Sequence, residues 1–156
     1  MTYSPSLEDL STQNDRALRT LSRTINLTRG RRFELIIVRC NYSSLQSQMM
    51  QRLREECSVE IQELRLSPSA QTLYTQIETR FSDEPPPALC VLGLESVVHL
   101  DELLLSTNQV REEFRKKFKF PLVLWVNDRI LEKLIRLVPD FHNWATPISF
   151  FFPHLN

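Results

Sequence analysis

The stretch FELIIVRCNYSSLQSQMMQRL, residues 33–53, decides how the chain is read. It opens with an apolar run of strand length, passes through the polar loop Asn41-Tyr42-Ser43-Ser44, and enters a helix predicted over about residues 44–57. Strand, loop and helix in this order build a phosphate-binding loop. There, glycines let backbone amides curl around phosphates and a lysine meets the outer ones. This loop holds neither. Ser43 and Ser44 supply hydroxyls, but the first lysine of the chain is Lys116, on another element. Arg39 precedes the loop, and its side chain is expected to point away from where a phosphate would sit. A bare helix N-terminus attracts an exposed anion by only about 0.3–1 kcal/mol. The stretch therefore reads as the frame of a nucleotide site without the site. It is a short βα turn in which Ser43, with Gln46, forms the capping box.

The glycine deficit extends outward. Only Gly30 and Gly93 occur in 156 residues, where average usage would place about eleven. Acidic and basic residues balance at 19 each, which argues against a highly charged tail or a general polyanion binder. Cys40, Cys57 and Cys90 are an odd set with no disulfide framework, expected as reduced thiols. No apolar run nears the roughly 20 residues that span a bilayer, and the N-terminus has no apolar signal core. A soluble, cytoplasmic protein is expected, of a length that suits one domain of about 100–200 residues.

Upstream, Leu7, Leu10, Ala17, Leu18, Leu21 and Ile25 recur at helical spacing, with Ser6 and Asp9 as a capping pair and Gly30 as the stop. What this amphipathic helix covers, its own domain or a partner's groove, is not set by spacing. Downstream, VEIQELRL reads as a partly exposed strand suited to a sheet edge, and Ser67-Pro68 as the start of a helix through Phe81. DEPPP is a linker into ALCVLGL, a continuous apolar run suited to a central strand. A long helix over residues 101–118, the strand FPLVLWVND, the helix RILEKLIRLV ending before Pro139, and the strand TPISFFF complete the chain. Five apolar runs alternating with amphipathic helices predict an α/β fold: three layers, a mostly parallel five-stranded sheet, and an extra N-terminal helix.

Candidate site residues follow from that layout, because open parallel sheets bind ligands at the carboxyl ends of their strands. NTPases of this kind put an aspartate at the tip of the third strand to hold Mg²⁺; here the tip is Gly93, with Glu95 two residues on. Asn127 and Asp128 end strand four, where a phosphate sensor could sit, though turn and N-cap roles suit them better. No Cys-x-x-Cys or His-x-x-x-His spacing supports a metal, no nucleophile elbow supports a Ser-His-Asp triad, and nothing adjacent activates Cys40. Two basic patches stand out, Arg29, Arg31 and Arg32, and Arg115, Lys116, Lys117 and Lys119, the second interleaved with Phe118 and Phe120. Solvated helix ends explain both. For protein contact the candidates are Leu10, Leu18 and Leu21 on the first helix, and Phe141, Trp144 and Phe151 near the C-terminus.

The pieces PPALCVLGLES, STNQVREEF, FPLVLWVND and PDFHNWATPISFFF, over about residues 33–152, resemble a bacterial domain common in cyanobacteria. It is the ATPase-like region found ahead of tetratricopeptide repeats in proteins related to STAND and AAA+ signalling NTPases. The resemblance implies a P-loop NTPase-like strand order, 5-1-4-3-2, and a role in signal-dependent assembly. That order places strand four between strands one and three and keeps Cys40 and Cys90 off adjacent strands. Where family members carry a Walker A motif this chain has RCNYSSLQS, and where they carry tandem acids it has Gly93-Leu94. The expectation is an N-terminal helix and basic linker, residues 1–32, followed by an ATPase-like domain, residues 33–156, that lacks a Walker A motif. It would bind no cofactor or metal and would serve as a protein-interaction or self-assembly module in bacterial signalling. One alternative is a divergent ATP/ADP binder using Ser43, Ser44, Glu95 and Asn127. A second is a nucleic-acid module using the two basic patches.

Overall fold

The computed structural model describes residues 7–152; Ser6 of the first capping pair and residues 153–156 lie outside them. The chain runs α1 (Leu7–Thr28), β1 (Glu34–Arg39), α2 (Ser43–Glu56), β2 (Ile61–Arg65), α3 (Leu73–Phe81), β3 (Ala88–Leu92) and a 3₁₀ turn (Leu94–Ser96). It continues with α4 (Leu100–Gln109), α5 (Arg111–Lys117), β4 (Pro121–Val126), α6 (Asp128–Leu137), α7 (Pro139–Asn143) and β5 (Thr146–Ser149). The strands form one sheet in the order β2-β3-β4-β1-β5, and every pairing is parallel. β4 separates β1 from β3, so Cys40 and Cys90 are not on neighbouring strands.

Successive side chains of a strand face opposite ways, and the two faces collect different partners. Leu35, Ile37, Leu89, Val91, Leu122 and Leu124 point into a core closed by α3, α4, α5, α6 and α7. Ile36, Val38, Cys90, Val123, Trp125 and Ile148 point into a second core under α1 and α2. β3 and β4 are buried along their whole length because they lie inside the sheet and are covered on both faces. β2 lies at an edge and is only half-buried.

The destination of α1 is its own sheet. Leu18, Leu21 and Ile25 are fully buried in the second core, and each such side chain contributes about 1.5–3 kcal/mol relative to exposure. Leu18 and Leu21, candidates for partner contact on spacing alone, are thus core residues, and the helix does not stand apart from the α/β unit. Gly30 stops the helix in the left-handed region, at φ 60°.

Three boundaries differ from expectation, each for a local reason. α3 begins at Leu73 rather than near Pro68, because Thr72 caps it, its hydroxyl accepting from the Thr75 amide at 3.2 Å. Ser67-Pro68 form a turn instead, closed by the Ala70 amide on the Ser67 carbonyl at 3.1 Å. The helix expected over residues 101–118 breaks into α4 and α5 at Val110, whose φ −108° and ψ 21° leave the helical region. Ser106 and Thr107 both donate back to the Leu103 carbonyl, a pattern that bends helices, and Arg111 takes the freed Asn108 carbonyl at 2.8 Å. The break turns Phe114 into an aromatic cluster with Phe33, Tyr74, Phe118 and Phe141. β5 ends at Ser149, and Phe150 continues inward to stack on Trp125 at 5.8 Å. No helix among the described residues is long and apolar enough to cross a membrane.

Candidate functional site

At the carboxyl ends of β1, β4 and β3 lies a cleft of about 230 Å³, bounded by the loop after β1, the N-terminus of α2, Glu95, and the end of β4 at Trp125 to Asn127. It brings together three of the four residues that the sequence nominated for nucleotide contact, Ser43, Glu95 and Asn127; Ser44 does not line it. The volume is below the roughly 300–1,000 Å³ of small-molecule sites.

The N-terminus of α2 sits at the cleft without a side-chain cap. Tyr42, not Ser43, is the N-cap residue, at φ −127° and ψ 126°, and it makes no side-chain cap hydrogen bond. The Ser-x-x-Gln spacing fits a capping box, but the extended backbone falls one residue earlier, so Ser43 enters the first turn. Asn41, the side chain best suited to cap, is turned away. Its amide nitrogen donates to Asp128 Oδ2 at 3.1 Å, and its oxygen accepts from the Asp128 backbone amide at 2.8 Å.

Asp128 also receives Arg39 through two donors, Nε on Oδ1 and a terminal guanidinium nitrogen on Oδ2 at 3.1 Å. The register of β1 on β4 sets this up by pairing Arg39 with Val126, two residues before Asp128. The hydrogen bond from Arg39 holds the Asp128 carboxyl below its ordinary range, and the same bond raises Arg39. As expected, Arg39 does not line the cleft. Arg39, Asn41 and Asp128 form a polar lock that ties the end of β1 to the start of α6.

The remaining groups offer little to a phosphate. Asn127 caps α6, its side-chain oxygen accepting from the Ile130 amide at 2.9 Å, which is the N-cap role. Glu95 is exposed and lines the cleft as a carboxylate, and no lysine or arginine lines it. Cys40 is buried, donates to the Tyr42 carbonyl at 3.5 Å, and is pushed up by burial, away from the reactive thiolate. Cys90, fully enclosed in β3, is pushed up to about 12 by burial. No group of three or more metal-ligating side chains occurs among the described residues.

The other nominated residues are dispersed. Phe141 is fully buried in the first core, Trp144 is partly buried beneath the Arg115 guanidinium at 5.0 Å from its ring, and Leu10 is partly buried on α1. Phe141 is therefore a packing residue. The second basic patch is largely committed within the fold: Arg115 pairs with Glu112, Lys117 with Glu78, and Lys119 donates to the Arg115 carbonyl. In the first patch, Arg32 reaches Glu34 at 3.8 Å and Arg29 bonds Ser58 at 3.1 Å.

Beside the cleft stands an aromatic group that sequence reasoning found only in part. Phe151, Phe152 and Tyr42 are 38%, 39% and 38% exposed, and the Tyr42 and Phe152 rings lie 5.2 Å apart. Arg39 passes over the Phe151 ring at 5.6 Å. Asn14 of α1 fixes this segment, donating to the Phe151 carbonyl at 2.8 Å and accepting from its amide at 2.9 Å. The signal was available. Asn14 falls on the apolar stripe, four residues after Leu10 and four before Leu18, where a polar side chain needs a partner.

No protein-family model matches the chain, and a search of curated proteins finds no match.

Proposed function

We propose that the chain is a non-catalytic domain of P-loop NTPase (AAA+-like) layout that serves as a protein-interaction or regulatory assembly module in bacterial signalling. The order β2-β3-β4-β1-β5 supports the layout, being 5-1-4-3-2 from the opposite edge. The observation that carries the loss of catalysis is the charge of the cleft. Among the described residues it is lined by the Glu95 carboxylate and by no lysine or arginine, while the nearby Arg39 is held by Asp128. An uncapped helix terminus offers about 0.3–1 kcal/mol to an exposed anion, whereas micromolar affinity requires about 8.2 kcal/mol. The deficit is too large for the one lining serine hydroxyl, Ser43, to fill.

The contact role is supported by Tyr42, Phe151 and Phe152, exposed together at one end of the sheet. Aromatic side chains are the type enriched in interface cores. Calorimetric titration with ATP and ADP in the presence of Mg²⁺ tests the non-catalytic half: no heat of binding is expected at micromolar nucleotide. A micromolar dissociation constant would instead favour the divergent nucleotide binder.

A further inference from the structure

α1 turns a line of arginines to solvent. Arg16, Arg19 and Arg23 recur at intervals of three and four residues and so share one side of the helix, opposite the buried stripe of Asn14, Leu18, Leu21 and Ile25. All three are exposed. The acids placed to answer them are engaged: Asp15 and Glu56 both pair with Arg52, at 2.9 and 3.6 Å. Past the helix end, Arg31 is exposed and Arg29 bonds only the neutral hydroxyl of Ser58. Elsewhere Arg39, Arg54, Arg111, Arg115, Lys117 and Lys133 each face a carboxylate. The balanced total charge hides an uneven placement. α1 carries Glu8, Asp9 and Asp15 against Arg16, Arg19 and Arg23, but Glu8 and Asp9 fall in its first turns and Asp15 is turned to Arg52, so the positive charge collects on the stripe. Like charges at this spacing weaken a helix, so α1 carries the stripe against its own stability.

We infer that this face binds the phosphodiester backbone of a nucleic acid without reading its bases. A guanidinium offers a weakly hydrated, planar fork that matches phosphate oxygens two at a time, and the basic residues before Lys116 are all arginine. At a rise of about 1.5 Å per residue, Arg16 to Arg23 covers about 10 Å, the axial span of about three phosphates of one duplex strand. A lipid surface fits less well. An interfacial helix must present its own apolar face to the bilayer, and here Leu18, Leu21 and Ile25 lie under the sheet. An acidic protein also fits less well, because protein interfaces centre on apolar and aromatic anchors and, among the described side chains of this helix, the exposed large apolar one is Leu27. The inference rests on α1 and stands apart from the reading of the cleft.

Fluorescence anisotropy with a short labelled DNA duplex, and with a labelled single-stranded RNA, tests it over a range of salt. The expected dissociation constant on either probe is about 10⁻⁴–10⁻⁶ M at physiological salt, with a logarithmic salt slope on duplex of about −3. The variant R16Q/R19Q/R23Q should lose most of that slope while melting no lower than wild type, since it removes exposed charge that pairs with no carboxylate among the described residues. No binding to either probe at about 50 mM salt, or an unchanged slope in the triple variant, overturns the inference. So does capture by anionic phospholipid vesicles when neither nucleic acid is bound.

Discussion

Replacing Gly93 by alanine tests why the tip of the third strand carries no acid. Gly93 has φ 89° and ψ 12°, in the left-handed region, which costs an L-residue about 1–2 kcal/mol. A Cβ there would also lie 2.9 Å from the Leu66 carbonyl oxygen and 3.2 Å from the Leu66 nitrogen. Neither atom is free to move, because the Leu66 amide is a rung of the sheet, bonded to the Leu92 carbonyl at 2.8 Å. Overpacking of this kind costs about 1–3 kcal/mol, so Gly93→Ala should destabilise by about 2–5 kcal/mol in total. Gly30 is the internal control. It too is left-handed, at φ 60°, but an added Cβ meets nothing within 4 Å, so Gly30→Ala pays about 1–2 kcal/mol of backbone strain alone. Urea unfolding of both variants should leave a gap of about 1–3 kcal/mol, or about 2–12 °C in Tm for a domain of this size. Equal stabilities would refute the packing argument. The consequence for function is direct. An aspartate at 93 would meet the same strain and the same backbone, so an acid placed at this strand tip would carry the same cost.

Two further outcomes follow from the polar contacts at the same end of the sheet. Asn14→Ala strips the Phe151 backbone of both partners, and unpaired part-buried groups cost about 1–3 kcal/mol; hydrogen exchange at the Phe151 amide should accelerate while β1 amides keep their protection, and unchanged exchange would contradict the clamp. Asp128, lowered by Arg39, contributes stability above its unfolded pKa of about 3.9 and loses it as pH falls through the folded value. With side-chain exposures of 34% and 57% for Arg39 and Asp128, the pair contributes about 0.2–1 kcal/mol. Asp128→Asn should therefore be less stable than wild type near neutrality, and the gap should close in acid. A gap in urea midpoints that does not narrow between neutrality and about pH 3, below the unfolded carboxylate value, would show that the loss has another origin.

The sheet was legible wherever burial alone determines composition. ALCVLGL and FPLVLWVND are continuous apolar runs because β3 and β4 are covered on both faces, and that environment writes itself into every position. The route of α1 was not legible, since Leu18, Leu21 and Ile25 show a stripe but not the surface that receives it. The break at Val110 was hidden for another reason. Valine is no helix breaker, and the Ser106 and Thr107 bonds that bend the chain exist only once it is coiled. In the candidate site, the missing glycines and lysine were plain, whereas the lock was not. Arg39 and Asp128 are 89 residues apart and meet only because β4 inserts beside β1. Arg16, Arg19 and Arg23 were visible at helical spacing, but their lack of counter-ions depends on where Asp15 and Glu56 turn.

The contacts that hold Arg39 and Asn41 on Asp128 also order the surface beside the cleft. Asn41, drawn to Asp128, leaves the first turn of α2 uncapped and at the same time anchors the residue before Tyr42. Arg39, drawn to Asp128, stays out of the cleft and lies over the Phe151 ring. Asn14 holds the Phe151 backbone from the other side, and Phe152 packs on Tyr42. Rings held in place before a partner arrives lose less freedom on binding, at about 0.5–1.5 kcal/mol per side chain that would otherwise be immobilised. A nucleotide site would need the opposite arrangement, with Arg39 released toward the cleft and a loop flexible enough to wrap a ligand. The ordering of this end of the sheet and the absence of a lysine or arginine from the cleft therefore come from the same contacts, and the proposed contact role rests on both.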